Sequence, residues 1–185
     1  MPRIHTQTIQ LDAQIFNGTF IGIDTALRQT GLCILRDRQA ELSLIDSQEL
    51  RGVQRLAYIA DSINLLILGE TPTLSAVEDG AYEAGGRVFQ LGQVNGIAQL
   101  ALYRVGSDLL NVSPTRLKKF FANHGGASKE KMVKKADSLL GTDGINDNLA
   151  DAFGLAYLAA AVFNKTPATR KQAEVILDVE IEEVT

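Results

Sequence analysis

The chain has 185 residues, 45% hydrophobic and 22% charged, which suits one ordinary globular domain and argues against two domains or a disordered chain. A single cysteine, Cys33, excludes an intramolecular disulfide and a thiolate zinc cluster. The net charge of −4 argues against a uniformly basic nucleic-acid binder, so any such role must rest on how the charge is distributed.

In chain order, residues 1–18 read as a polar lead-in, and Met1 to Gln10 lacks the apolar run of a secretory leader. Thr19 to Asp24 is a short apolar run ending in a carboxylate, the pattern of a buried central strand. Gly31 to Arg36 and Glu41 to Ser47 follow as two further strands, and the short polar connections between the three predict an antiparallel meander. Cys33 lies inside the second strand, where an inert buried thiol is expected. Val53 to Leu68 carries Leu56, Ile59, Ala60, Ile63, Leu66 and Ile67 at helical spacing, so an amphipathic helix should pack on the sheet. Leu74 to Glu78 is a fourth strand, again ending in an acid; Arg87 to Arg104 is a long helix, and Ser107 to Val112 a fifth strand. Ser113 and Pro114 have the N-cap and first-turn signature of a helix that ends before Gly125-Gly126. Ser128 caps the next helix, and Asn146 or Asp147 caps a last apolar one running to Phe163. The tail, 166–185, alternates apolar and acidic residues and reads as an extra strand or a disordered acidic end.

Residues 19–165 therefore predict an α/β domain: a mixed five-stranded sheet, three antiparallel strands then two parallel ones, flanked by helices. Ligands gather in such sheets where the strand order changes direction. The longest apolar stretch, Leu155 to Phe163, is about half of what a bilayer span needs. A cytoplasmic protein with no membrane contact is expected.

Charge is concentrated in one segment. Arg116, Lys118, Lys119, Lys129, Lys131, Lys134 and Lys135 fall within twenty positions that hold one acid, Glu130, while acids collect in the tail at Glu174, Asp178, Glu180, Glu182 and Glu183. One basic segment in an acidic chain is the electrostatic footprint of a phosphate-binding surface; on charge alone, a solvated helix face explains it as well.

The carboxylates point to chemistry. Asp24 and Glu78 leave the ends of two buried strands, and Asp147, Asn148 and Asp151 share a face at the start of the last helix. Read singly, Asp24 is a turn residue, Glu78 begins a loop and Asp147 is a helix cap. Asp151 resists such a reading, because its neighbours Leu149, Ala150, Ala152, Phe153 and Leu155 are apolar and a lone carboxylate beside a buried stripe is costly. Gathered acids repel unless a cation lies between them, and a set of oxygen ligands suits Mg²⁺ or Mn²⁺.

Four segments in order resemble the RuvC family of Holliday-junction resolvases, whose fold is ribonuclease H-like. They are Ile21-Gly22-Ile23-Asp24 with Thr30-Gly31-Leu32; Ala76-Val77-Glu78 with Gln90-Leu91-Gly92-Gln93-Val94-Asn95-Gly96; Ser113-Pro114 through Leu117-Lys118-Lys119 to Gly125-Gly126-Ala127-Ser128-Lys129; and Asn148-Leu149-Ala150-Asp151-Ala152 with Leu155-Ala156. The resemblance implies a homodimer that resolves four-way DNA junctions by symmetric, metal-dependent hydrolysis, with two Mg²⁺ ions per site and Mn²⁺ able to substitute. A branch-migration helicase is a possible partner on the same ground. By motif match, Asp24, Glu78 and Asp151 bind metal, and Lys118 and Lys129 hold the scissile phosphate. Arg116, Lys119, Lys131, Lys134 and Lys135 extend the phosphate contact.

The sequence departs from the family in two places. Thr25-Ala26 follows the first aspartate where Pro-Gly is usual, and Asn148 stands where the family has an Asp or His ligand, with Asp147 beside it as an alternative. The family's aromatic after the glutamate corresponds to Tyr82, on a glycine-rich stretch, either near the junction or folded back on the protein. Gly92 and Gly96 lie on the helix that forms the family's dimer interface, although packing on the chain's own sheet would also account for them. Competing readings are a same-fold nuclease for other branched or hybrid nucleic acids, a junction-binding protein with weak or no catalysis, and an actin-like ATPase. The last requires a second phosphate loop, which the chain lacks.

Overall fold

The computed structural model describes residues 1–11, 16–79 and 88–184. Its sheet is mixed and six-stranded: β1 (Arg3–Gln10), β2 (Phe16–Asp24), β3 (Gln29–Asp37), β4 (Gln39–Asp46), β5 (Leu74–Glu78) and β6 (Leu109–Val112), in the order β1-β4-β3-β2-β5-β6. β2, β3 and β4 form the antiparallel meander, and β5 and β6 run parallel to β2 and to each other. The sheet thus has one strand more than the five expected. Residues 3–10, part of the polar lead-in, pair with β4 as an edge strand. They carry no apolar alternation because most of the strand is exposed, and Thr6 meets Ser43 across the pair through their hydroxyls at 2.8 Å.

Alternation along β2 sorts its side chains into two cores. Ile21 and Ile23 face α1 (Gly52–Leu66) and α2 (Val88–Arg104), packing with Ile59, Ile63, Val94 and Ala98. Phe20 and Cys33 face the other way, toward α3 (Pro114–Ala122), α4 (Lys129–Leu140) and α5 (Asp147–Asn164), with Leu117, Phe121, Met132 and Phe153. The result is three layers with the sheet in the middle. Cys33 is fully buried, and burial pushes its thiol far above the usual range, as an inert structural cysteine requires.

Glycines on the sheet bring α5 unusually close. A Cβ at Gly22 would lie 2.1 Å from the Ala152 carbonyl oxygen, and one at Gly31 would lie 2.2 Å from that of Asn148. With Ala152 and Ala156 also small, α5 rests directly on β2 and β3. Gly22 and Asp24 are two residues apart and share a face, so this approach delivers the start of α5 to Asp24.

The cap signals act largely as the sequence indicates. Ser113 accepts from the Arg116 N–H with Pro114 at the first turn of α3, and Asn146 caps α5 by accepting from the Asn148 N–H. Asp147 is thus the first residue of α5 and not its cap. The tail is neither a strand nor plain coil: Thr169 and Gln172 form a capping box that starts α6 (Arg170–Asp178), and Glu182 then pairs with Leu109 on β6. Among the described residues no helix is long and apolar enough to cross a membrane.

Candidate active site

β2 lies where the sheet changes character, antiparallel to β3 on one side and parallel to β5 on the other. With Ile23 beside Val77, Asp24 and Glu78 leave neighbouring carboxyl-terminal strand ends together. α5 supplies Asp151 and Asp147, one helical turn apart, over the same spot. The four acids sense one another's charge. Asp24, 7% exposed, is raised well above the usual carboxylate range by burial, then by Glu78, Asp151 and Asp147. Burial, then Asp151, pushes Glu78 up to about 7, against the pull of Lys118 and Lys129. Asp151 is raised to about 6 by burial, then by Asp147, again opposed by the two lysines.

Asp147 behaves differently. Its carboxylate pairs with the Lys129 ammonium at 2.5 Å, which lowers its pKa and raises that of Lys129. Asn148 donates through Nδ2 to the Gln29 carbonyl at 2.9 Å, tying α5 to β3. Asp151 Oδ1 is buried and accepts no hydrogen bond from any described residue. An orphaned carboxylate oxygen among three further acids is the donor chemistry of a hard divalent cation. The acids adjoin without forming a finished cage: no three His, Cys, Asp or Glu side chains among the described residues converge closely enough to hold an ion as they stand.

The basic segment splits in two. Lys118 and Lys129 reach the carboxylates electrostatically, and Lys131 and Lys134 are exposed on α4 with Lys135 half-buried beside them. Arg116 and Lys119 instead form ion pairs with Asp178 and Glu174 of α6, at 2.9 and 3.0 Å. Tyr82 lies outside the described residues.

One positioning residue escaped the sequence reading. Asn95, buried on α2, donates through Nδ2 to the Glu78 carbonyl at 2.6 Å and accepts from Gln99 at 2.5 Å. Its polar character on a helix that packs against β5 was visible; its target at the Glu78 backbone was not.

Comparison with known proteins agrees with the geometry. The family model "Crossover junction endodeoxyribonuclease RuvC" matches residues 20–159. The RuvC protein of Anaeromyxobacter dehalogenans strain 2CP-1 is 32% identical over 152 residues, covering 77% of this chain and 82% of the relative. The solved Thermus thermophilus RuvC superposes with a TM-score of 0.64 at 22% identity, over 80% of this chain and 97% of that one. The same organism's RuvC, solved with a Holliday-junction substrate, gives 0.63 at 23% identity, over 76% and 91%. These two share the ribonuclease H-like fold expected here. With the family model spanning most of the sheet and all four acids, the chain belongs to the RuvC family of crossover junction endodeoxyribonucleases.

Proposed function

We propose that this protein is a crossover junction endodeoxyribonuclease that hydrolyses phosphodiester bonds in four-way DNA. The observation that carries the reading is that Asp24, Glu78 and Asp151 adjoin at the carboxyl-terminal ends of the central strands, with pKa values raised by burial and by neighbouring acids. Buried acids next to phosphate would only weaken a binding-only protein, because like charges repel.

Asp24, Glu78 and Asp151 would hold the metal, with Asp147 as fourth ligand in preference to Asn148. One feature supports that choice: Asp147 carries a charge that acts on Asp24 and Asp151, and the Asn148 amide carries none. Divalent ions held there, two Mg²⁺ or Mn²⁺ in their place, would supply Lewis-acid charge stabilisation for phosphodiester hydrolysis. Lys118 and Lys129 position the scissile phosphate and offset its charge. Lys129 is held over the site by its ion pair with Asp147, where its ammonium can meet a phosphate. Lys131, Lys134 and Lys135 extend the contact along the strand. Arg116 and Lys119 contribute less, because α6 already holds them.

The enzyme acts as a homodimer through α2. Phe89, Leu100 and Tyr103 are exposed on it, and Gly92 and Gly96 have open space above them among the described residues. These glycines therefore do not serve packing against the chain's own sheet; they fit close approach of a second helix. Two sites in a symmetric pair suit two symmetric nicks. A cytoplasmic setting and a helicase partner for branch migration follow from the family reading.

The test is a labelled four-way junction incubated with Mg²⁺ beside a linear duplex of the same sequence. Paired symmetric nicks in the junction alone support the proposal. Equal cutting of both substrates identifies a general nuclease of this fold, and junction binding without any cutting identifies a binding protein.

A further inference from the structure

A second basic cluster lies away from the lysines, on the opposite layer of the molecule. Arg28, in the β2–β3 turn, and Arg51 and Arg55, at the start of α1, line a cleft of about 630 Å³ together with Ala26, Leu27 and Gln90. Arg28 and Arg51 are exposed and Arg55 is half-buried. None of the three forms an ion pair with a described residue. The nearby acids are engaged elsewhere: Asp46 accepts from Gln29 and Gln48, and Glu49 pairs with the Met1 amine.

The cluster is built and not merely gathered. Arg55 donates through Nη2 to the Leu50 carbonyl, and Arg51 through Nη1 to those of Gln48 and Leu50, which fixes both side chains. The Arg55 Nε is buried and has no partner among the described residues. The turn carrying Arg28 is pinned by Ser47, whose N–H donates to the Arg28 carbonyl at 2.8 Å and whose hydroxyl lies 3.3 Å from the carbonyls of Leu27 and Arg28. α1 opens onto the same cleft with no capping side chain and no acid in its first turn, so its positive end is uncompensated. Burial, then Arg51 and Arg28, lowers the proton affinity of the Arg55 guanidinium, so the three charges feel each other. Three mutually repelling guanidiniums held in place without an ion-pair partner among the described residues call for an anion, and their planar forks match phosphate.

We propose that this cleft is a second phosphate site, holding the backbone of a junction arm away from the scissile bond. The inference rests on the nuclease reading. The cations acting on the carboxylates are Lys118 and Lys129, not these arginines, so the cleft positions DNA without touching the chemistry. Ala26 and Leu27 on its wall follow Asp24 by two and three residues, so an arm seated there leaves the strand exchange point beside the acids.

The test is junction binding by Arg28→Ala/Arg51→Ala, measured in Ca²⁺ across a range of salt, with cleavage measured separately in Mg²⁺. Arg38→Ala, in the turn between β3 and β4, serves as a charge control. Loss of two phosphate contacts should weaken binding by about ten-fold or more near physiological salt and make the salt slope shallower by about 2. Turnover at saturating junction should remain that of the wild type, as should the melting temperature. If wild type binds and cuts while the double variant matches it, or if Arg38→Ala loses as much per charge, this inference alone is overturned. If wild type does not bind the junction, the nuclease reading fails and takes this one with it. Thermal stabilisation of wild type but not the variant by millimolar inorganic phosphate, with junction binding equal in the two, would reassign the cleft to a free anion and overturn the proposal.

Discussion

Neutralising Glu78 should make the metal-free protein more stable while destroying its activity. Burial and Asp151 lift this carboxyl from 4.5 to about 7 in the folded protein. That difference corresponds to about 3 kcal/mol between the folded and unfolded states. The sign follows from proton counting. The native protein keeps the Glu78 proton to higher pH than the unfolded chain does, so the associated stability is full below about pH 4.5 and is lost as pH rises through about 7. At about pH 8 in EDTA, Glu78→Gln removes the penalty. A gain of about 2–3 kcal/mol is expected, which for a chain of this size raises the melting temperature by about 5–10 °C. At about pH 5, where wild-type Glu78 is largely protonated, the gain should fall below about 1 kcal/mol. Millimolar Mg²⁺ should stabilise wild type at about pH 8 and have much less effect on the variant. Differential scanning calorimetry at the two pH values, with and without Mg²⁺, reads all of this. A Glu78→Gln protein equal to or less stable than wild type at the higher pH would refute the electrostatic reasoning.

Other outcomes are expected from the same geometry. Asp24→Asn and Asp151→Asn should each abolish cleavage while leaving junction affinity in Ca²⁺-free buffer unchanged or tighter, because each removes a negative charge facing phosphate; gel-shift and cleavage assays on one preparation separate the two effects. Asn95→Ala should cost about 1–3 kcal/mol by leaving the Glu78 carbonyl without its donor, and should lower turnover more than junction affinity; denaturant melts and saturation kinetics check both. Gly31→Ala should lower both stability and activity, since its Cβ would strike the α5 backbone and push Asp147 and Asp151 off the sheet; circular dichroism should show a folded but less stable protein. Lys129→Ala should raise the pKa of Asp147 through loss of its ion pair and slow cleavage, and a carbon-detected NMR titration of the Asp147 carboxyl would show the shift.

The parts legible in the sequence were those whose burial leaves a pattern. Asp24 and Glu78 end apolar runs, and Asp151 interrupts an apolar stripe, so each stood out against its neighbours. β1 did not, because a polar edge strand such as Arg3–Gln10 is held by backbone pairing to β4 and needs no apolar alternation. α6 was hidden by its acids, although Thr169 and Gln172 spell a capping box at its start. The basic segment looked uniform because sequence shows how many charges there are and not what each one faces: Lys118 and Lys129 face the carboxylates, whereas Arg116 and Lys119 face α6. The three arginines of the second cleft were invisible for the same reason, being joined only when the β2–β3 turn folds against the start of α1. Gly22 and Gly31 carried a readable signal, since a glycine inside a strand often marks a close approach, but what approaches them comes from more than a hundred residues away.

The central claim is that Asp24, Glu78 and Asp151 together bind the catalytic metal. Crystals soaked in Mn²⁺ and measured at the manganese absorption edge test it directly. Anomalous density is expected within bonding distance of carboxylate oxygens of Asp24, Glu78 and Asp151, and no such density in Asp24→Asn crystals. Manganese bound elsewhere on the protein, with this cluster empty at saturating concentration, would contradict it.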